Sequence, residues 1–398
     1  MKNIDIEKLI KKIDEKEVVS ILKKLISVPG HINCPEQENE ISKCVLNIIK
    51  EEGIHAYLQE VEPGRNNVIA KIPGKENNNA GKSLTLNGHL DTVPPNDKMK
   101  SYEPEIKDGK VFGLGAVDMK GAVAAMIYSM FILKRENVCL DGDLFFTGVI
   151  GEESGGTGTR FLMNKGFKSD YFIVGEPTDL NIVNSHKGCF LMDISITGKA
   201  AHGSMPEKGA NAIGAMAFFI TKLNNKYIPV LNTRYQDGVG NPTINYGIIK
   251  GGKKVNIVAD KCTLAIDRRW IDSEKNIDLI SEIEPYIKEA CNTNPELRYE
   301  VRATLPGDGY FGPLFLPESH DYVDIVKTAM MDAGLKAQVA GMQGWTDGAT
   351  ILNKGFPTLI LGPGSMSKAH SEDEFVSIKE LTDSVKAYLS IVFKVCKS

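Results

Sequence analysis

The chain has 398 residues, of which 42% are hydrophobic and 25% are charged, and this ordinary globular composition excludes a disordered or fibrous protein. Its length favours two domains rather than one. The net charge of −4 gives no indication of nucleic-acid binding.

Cysteine usage and apolar segments indicate the compartment. The seven cysteines are scattered without a CxxC pair, which excludes a disulfide framework and a cysteine-zinc site and predicts a reducing compartment. The N-terminal segment is charged and amphipathic and lacks the apolar core of a signal peptide. The longest apolar helical run, 121–133, is shorter than the roughly 20 residues that span a bilayer. We therefore expect a cytoplasmic protein with no membrane partner.

Strand and helix patterns alternate over the first part of the chain. Such alternation predicts a mixed, mainly parallel sheet with helices packed on it, an α/β fold. A turn is predicted at the polar stretch 77–79. In chain order the patterns predict a helix at 5–28, a helix at 36–53, strands at 55–61, 67–72 and 83–88, a helix at 119–136, a strand at 143–150, a helix at 157–165 and a strand at 171–174.

A different pattern begins near residue 187. The order strand, helix, strand, strand, helix, strand is typical of a ferredoxin-like unit. We therefore predict one domain from 1–186 and 305–398, interrupted by a second domain at 187–304. The elements predicted here are a strand at 189–198, a helix at 209–225, strands at 244–252 and 255–269, a helix at 273–290, a strand at 297–303, and then, back in the first domain, a helix at 319–334, a strand at 356–362 and a helix at 377–396.

Histidines and carboxylates follow several of the predicted strands. They lie in the segments GHLDTVP, GLGAVDMKG, GEESGG, GEPTD and AHSEDE. Because ligands bind outside the carboxyl ends of strands in an open α/β sheet, these side chains are expected to meet there. Imidazole nitrogens and carboxylate oxygens suit zinc or a similar divalent ion, which points to a metallohydrolase. The residues concerned are His89, Asp91, Asp118, Glu152, Glu153, Glu176 and His370.

Several of these residues also have simpler interpretations. Asp91 lies two positions after His89 on a strand and can sit beside its ring, where it could accept the second ring N–H. Asp118 could instead cap the following helix, and the pair Glu152 and Glu153 could be an exposed acidic turn. If the pair is functional, one glutamate can hold a metal while the other faces a bound water.

Two nucleotide-binding motifs and one nucleophile motif are excluded. The glycines before Asp118 imitate GxGxxG, but Asp118 occupies its sixth position. A P-loop is excluded because Glu76 stands where its first glycine should be. No GxSxG sequence is present, so a serine nucleophile of the α/β-hydrolase type is not supported.

Taken together, the segments resemble the zinc-dependent amidohydrolases and exopeptidases that include acetylornithine deacetylase, succinyl-diaminopimelate desuccinylase, aminoacylase and carboxypeptidase G. The resemblance covers nearly the whole chain, with AHGSMPEKGANAI and the NIV and DRR segments following in the same order. It implies a catalytic domain with two zinc ions, interrupted by a lid domain through which homodimers form. Cobalt or manganese could replace zinc.

The resemblance also implies a role for each residue. One metal would be held by His89 and Glu176, the other by Glu153 and His370, with Asp118 bridging the two. The glutamate at position 176 resembles the deacylases, which have glutamate there, whereas many peptidase relatives have aspartate. The remaining implied roles are Asp91 orienting His89, Glu152 as general base, His202 stabilising the oxyanion from the partner subunit's lid, and Asn245, Asn256 and Arg268 gripping the substrate.

The expected reaction is hydrolysis of the amide bond of a small N-acyl amino acid. A dipeptidase or carboxypeptidase with the same metal centre is the first alternative. A non-catalytic paralogue that only binds ligands is the second. A base placed beside the metals disfavours the second alternative, because a binding module has no need of one.

Overall fold

The computed structural model describes residues 5–75, 81–95, 102–305 and 310–397. The turn predicted at 77–79 lies outside the described residues. No helix in the described part of the chain combines the length and apolar character that a membrane span requires.

The chain forms two compact units. Unit 1 comprises Met1–Asn184, Leu316–Ala340 and Thr346–Ser398, and unit 2 comprises Ser185–Phe315 and Gly341–Trp345. The limits of independently folding domains, drawn from the sequence at 186/187 and 304/305, stay a prediction.

Most helices lie where the sequence predicts them. The predicted helix at 5–28 is instead two helices, because the Asp14 carboxylate accepts a hydrogen bond from the Lys16 N–H at 2.9 Å and so starts a new helix. In chain order the helices are α1 Ile6–Ile10, α2 Glu15–Ile26, α3 Asn39–Glu51, α4 Lys120–Arg135, α5 Thr157–Asn164, α6 Ala212–Lys222, α7 Ile228–Leu231, α8 Leu279–Cys291, α9 Asp321–Asp332, α10 Asp347–Leu352 and α11 Ile378–Cys396.

The strands include several short ones that have no clear sequence pattern. The predicted strand at 255–269 begins only at Lys261. In chain order the strands are β1 His55–Glu62, β2 Arg65–Ile72, β3 Leu84–His89, β4 Glu105–Lys107, β5 Lys110–Phe112, β6 Leu144–Val149, β7 Tyr171–Val174, β8 Ile182–His186, β9 Gly188–Thr197, β10 Thr243–Gly251, β11 Lys261–Trp270, β12 Arg298–Ala303, β13 Tyr310–Phe311, β14 Leu314–Phe315, β15 Val339–Met342, β16 Thr358–Ile360 and β17 Phe375–Ser377.

The central sheet of unit 1 is mixed, with a parallel centre. Its strand order runs β1-β2-β6-β3-β7-β16-β8. β3 pairs in parallel with β6 and with β7, and β7 pairs in parallel with β16, whereas β1 and β2 join in antiparallel fashion. The α/β fold class predicted from the sequence is therefore confirmed.

Helix α4 is the central helix of unit 1. Its side chains are buried from Lys120 to Leu133, and it packs against α2 and α11. A helix that is apolar on all sides has to lie in the interior. Since Asp118 comes just before its first turn, the buried helix fixes where that carboxylate enters the site.

Unit 2 contains an antiparallel sheet with strand order β10-β11-β9-β12. Helix α6 follows β9 and helix α8 follows β11, so the chain order is strand, helix, strand, strand, helix, strand. Both the chain order and the sheet order are those of a ferredoxin-like unit. The core of unit 2 lies between the sheet and these helices.

Candidate metal centre

Three strand ends bring predicted ligands to one edge of the sheet in unit 1. β3 ends at His89, β6 is followed by Glu152 and Glu153, and β7 is followed by Glu176. Because β3 lies between β6 and β7 and runs parallel to both, these carboxyl ends meet at the same edge.

Asp118 lies between the two predicted histidine ligands. Its Oδ1 is 3.1 Å from Nε2 of His89, and its Oδ2 is 3.3 Å from Nε2 of His370. The alternative role of Asp118 as a helix cap is not what the structure shows, since α4 has Met119 at its N-cap and no side-chain cap. One carboxylate thus presents a separate oxygen to each imidazole.

A further carboxylate accompanies each histidine. Oε1 of Glu176 lies 3.7 Å from Nε2 of His89, and Oε1 of Glu153 lies 3.0 Å from Nε2 of His370. Ligand atoms of His89, Asp118 and Glu153 all lie within 4.8 Å of one another, close enough to hold a metal ion. Oε1 of Glu176 is buried and has no hydrogen-bond partner among the described residues. A buried carboxylate oxygen without a donor fits a cation, so the donor set suits a metal.

Several ionisable groups of this cluster have strongly shifted pKa values. Hydrogen bonds to Asp118 and Glu153 raise the pKa of His370 to about 10. Burial raises the pKa of Glu176 well above its ordinary value, although His89 acts in the opposite direction. Burial, together with the charge of Glu176, likewise raises the pKa of Glu152. Protonation of these groups therefore competes with binding of a cation.

Asp91 holds the turn that carries the two glutamates. Its Oδ1 accepts a hydrogen bond from the Glu152 N–H at 3.2 Å, and its Oδ2 accepts one from the Glu153 N–H at 3.1 Å. The acceptor closest to Nδ1 of His89 is the main-chain carbonyl of Asp91 at 3.0 Å, whereas the carboxylate is 3.6 Å away. The carboxylate lies beside the ring, as the sequence suggested, but its hydrogen bonds go to the backbone of the turn.

Glu374, which the sequence reasoning missed, holds the loop before Asp118. Its carboxylate accepts hydrogen bonds from the backbone N–H groups of Gly115, Val117 and Asp118. It belongs to the AHSEDE segment that also carries His370, so the segment was recognised without this residue. The signal available was an acid just before an apolar strand, which is too common to single out.

Asp347 is a second residue that the sequence reasoning missed. It is buried, and its Oδ2 accepts a hydrogen bond from Oγ1 of Thr159 at 2.7 Å. Burial raises the pKa of Asp347 to about 6. Thr159 lies on α5, directly after the GEESGG turn, so Asp347 ties α10 to that turn.

The other predicted residues lie in unit 2. Nδ1 of His202 is 2.7 Å from Oγ of Ser204, and the His202 side chain is exposed. Asn256 is its neighbour, because the Gly203 N–H donates to the Asn256 carbonyl at 2.8 Å. Asn245 is exposed on β10, where it pairs with Asp267 of β11. Their roles in binding substrate stay predictions.

Arg268 lies in the core of unit 2, where a substrate carboxylate is not expected. Its side chain is 1% exposed, and its guanidinium pairs with Glu274 and donates to the Tyr227 hydroxyl. Its neighbour Arg269 lies on the opposite face of β11, since successive strand residues alternate, and is 31% exposed beside Asp267. This placement disfavours the substrate contact predicted for Arg268, which the sequence could not distinguish from Arg269.

The mixed α/β sheet gathers two histidines and several carboxylates at its strand ends, a ligand set typical of metal-dependent hydrolases. The chain belongs to peptidase family M20/M25/M40, whose model matches residues 85–394. The resemblance stated from the sequence is thereby confirmed.

Individual relatives extend over most of the chain. It is 27% identical to N-formyl-4-amino-5-aminomethyl-2-methylpyrimidine deformylase of Halalkalibacterium halodurans, with 98% of this chain and 97% of that protein covered. It is 31% identical to acetylornithine deacetylase of Vibrio parahaemolyticus, with coverage of 87% and 89%.

Solved structures share the fold at lower identity. Aminopeptidase PepT from Bacillus cereus superposes with a TM-score of 0.81 at 23% identity, covering 97% of this chain and 100% of that one. The dinuclear metal-binding peptidase YXEP from Bacillus subtilis superposes with a TM-score of 0.72 at 15% identity, covering 96% and 98%.

Proposed function

We propose that this protein is a metal-dependent hydrolase that cleaves the amide bond of a small N-acyl amino acid and holds two divalent ions. The observation that carries the proposal is Asp118, whose two oxygens each face one histidine. Glu176 lies beside His89 and Glu153 lies beside His370, so each histidine has a carboxylate as a second ligand partner. Imidazole and carboxylate ligands suit zinc, and cobalt or manganese accept the same donors.

Glu152 is the proposed general base. Its backbone N–H donates to the Asp91 carboxylate, which holds the turn that carries it. The bound ions would supply Lewis acidity and lower the pKa of a water from about 16 toward 7. Glu152 takes the proton of the attacking water and passes it to the leaving amine. Burial and the charge of Glu176 raise the pKa of Glu152, which favours return of the proton to the leaving amine.

Unit 2 is proposed to act as the lid, to bind substrate and to form the homodimer. Strand β10 ends its sheet and is exposed along most of its length, with Ile248 56% and Ile249 55% exposed. Ile213 and Phe218 on α6 add further exposed apolar surface. An uncovered apolar edge strand favours pairing with another chain, here a second copy. Each His202 would then serve the partner's site and stabilise the oxyanion.

The relatives support a deacylase, and the unpaired cysteines support a cytoplasmic location. The curated relatives described above remove acetyl or formyl groups by name. All seven cysteines are free, as expected in a reducing compartment. A peptidase with the same metal centre is the alternative. The similarity to solved peptidase structures, at 23% and 15% identity, shows the fold alone and does not decide between the two activities.

A hydrolysis panel with zinc-loaded protein tests the proposal. The panel compares N-acetyl, N-formyl and N-succinyl amino acids, including N-acetylornithine, with the formylated aminopyrimidine, dipeptides and tripeptides, by kcat/KM. The expected result is the highest kcat/KM for an N-acyl amino acid, and a Glu152→Gln control without that activity. Preferred cleavage of peptides would replace the deacylase by the peptidase alternative. Absence of all hydrolysis in metal-saturated protein would leave the non-catalytic alternative.

A further inference from the structure

We propose that Glu374 is a positioning residue of the metal centre, which fixes Asp118 and His370 relative to each other through backbone hydrogen bonds. The inference rests on the proposed two-metal centre. It concerns a residue that neither the sequence motifs nor the relatives' names assign to any role.

The Glu374 carboxylate is enclosed by amide donors. Its Oε2 accepts the Gly115 N–H at 3.0 Å, and its Oε1 accepts the N–H groups of Val117 at 3.0 Å and Asp118 at 3.2 Å. Its side chain is almost fully buried, at 4% exposure for the residue. Backbone N–H groups of one loop that converge in this way form an anion-binding concavity, and here the protein's own carboxylate fills it. Both oxygens are therefore engaged by the backbone of the loop that leads to Asp118.

Strand pairing fixes the Glu374 backbone. Phe375 of β17 pairs with Phe112 of β5, and the Gly113 N–H donates to the Glu374 carbonyl at 3.2 Å. The loop to Asp118 starts where β5 ends, so Glu374 stands at the beginning of that loop and reaches across to its end. The carboxylate therefore has a defined position from which it can hold Asp118.

The same segment carries His370. This residue has a φ of 57°, a left-handed conformation that is uncommon for residues other than glycine. Glu374 anchors the segment shortly after His370 and, through the Asp118 N–H, anchors the carboxylate whose Oδ2 lies 3.3 Å from Nε2 of His370. One side chain thus connects two ligands that come from distant parts of the chain.

The two metal positions depend on this connection to different degrees. If Glu374 were changed, the metal position at His370 and Glu153 would have two ligands that are no longer held in place, His370 and Asp118. The position of His89 and Glu176 would lose only the placement of Asp118, because His89 is fixed by β3. A change at Glu374 should therefore weaken one metal position more than the other.

The test measures metal binding to the apoprotein without substrate. Zinc affinity is determined by competition with a chromogenic chelator for the wild type, Glu374→Gln and Glu374→Asp, and cobalt absorption spectra report each position. In Glu374→Gln the amide NH2 faces the Gly115 N–H, which brings two hydrogen-bond donors into contact. We therefore expect zinc affinity at one metal position to fall about 10- to 100-fold, as it does when other residues that orient ligands are changed. The second position should change less, and the cobalt spectrum should change in intensity at two equivalents.

The matched control is Glu372→Gln, an exposed acid in the same segment. It should bind zinc as the wild type does. Wild-type binding of two ions by Glu374→Gln would overturn the inference. If Glu374→Gln does not fold, Glu374→Asp gives the same decision, because its carboxylate is withdrawn by one methylene and a smaller loss is expected; wild-type affinity there would also overturn it.

Failure of this inference is distinguishable from failure of the proposed function. If the wild type binds only one ion, both the two-metal centre and the role of Glu374 are refuted. A wild type that binds two ions, with Glu374 variants that also bind two tightly, removes only the role of Glu374. The substrate panel is unaffected by either result on the variants.

Discussion

Asp118 sets the geometry of the site at the scale of single residues. Its two oxygens lie 3.1 Å and 3.3 Å from the Nε2 atoms of His89 and His370. The sequence predicted Asp118, His89 and His370 as metal ligands because each lies in a segment with a recognisable motif. It could not predict which oxygen faces which histidine, since that depends on how the loop before α4 is held by Glu374.

The neighbouring glutamates should have separable functions. Glu152→Gln should keep its metal and lose about 10²- to 10⁴-fold in kcat, because the proton acceptor is removed. Glu153→Gln should lose metal affinity as well, because an anionic ligand beside His370 is removed. Metal analysis and kcat on the same preparations check both variants. A Glu152→Gln variant with kcat near that of the wild type would exclude Glu152 as the base.

Metal binding should release protons at neutral pH. Hydrogen bonds to Asp118 and Glu153 raise the pKa of His370 to about 10, so the ring is protonated at pH 7 and must lose that proton to bind a cation. Protons therefore compete with metal, and zinc affinity should rise about tenfold or more per pH unit between pH 6 and 8. Titrations with zinc at several pH values, with the released protons measured, check this. A pH-independent affinity over that range would contradict the ligand role of His370.

At the scale of elements, β11 places two adjacent arginines in different environments. Arg268 points into the core of unit 2 and pairs with Glu274, whereas Arg269 is partly exposed on the other face. Replacing Arg268 by alanine leaves Glu274 with Arg234 as its partner and deletes a large buried side chain, at a cost of about 2–5 kcal/mol. Arg268→Ala should therefore lower the free energy of unfolding by about that amount.

Arg269→Ala is the matched comparison. It removes a surface pair with Asp267, worth at most about 1 kcal/mol, so its unfolding free energy should stay near that of the wild type. Chemical denaturation of both variants, together with KM, separates structure from binding. If Arg268→Ala is as stable as the wild type and raises KM, the substrate contact predicted for Arg268 is correct after all.

The sequence predicted elements well where a long pattern dominates. Helix α4 was predicted at 119–136 and spans Lys120–Arg135, because a continuous apolar run has few alternatives. The pairing of β17 with β5 was not predictable, since both strands are short and lie far apart in the chain. Glu374 and Asp347 were missed for the same reason, because their partners are set by tertiary contacts and not by local spacing.

At the scale of the whole molecule, the proposed dimer gives His202 a role in the partner's site. His202→Ala should fold, dimerise and bind metal normally but turn over slowly, with the loss mainly in kcat. Mixed with Glu152→Gln subunits under exchange, it should regain activity, because one site of each heterodimer then has both groups intact. Mass spectrometry confirms that mixed dimers form. Mixed dimers without activity would contradict a contribution of His202 across the interface.

The central claim is that Asp118 joins two metal ions into one hydrolytic centre. The most direct measurement is zinc per chain, by elemental analysis of protein reconstituted from the metal-free form, recorded together with amide hydrolysis as zinc is added. The expected result is two zinc ions per wild-type chain, loss of at least one in Asp118→Asn, and hydrolysis that reaches its maximum only at two equivalents. A wild-type chain that is fully active with one zinc ion would contradict it.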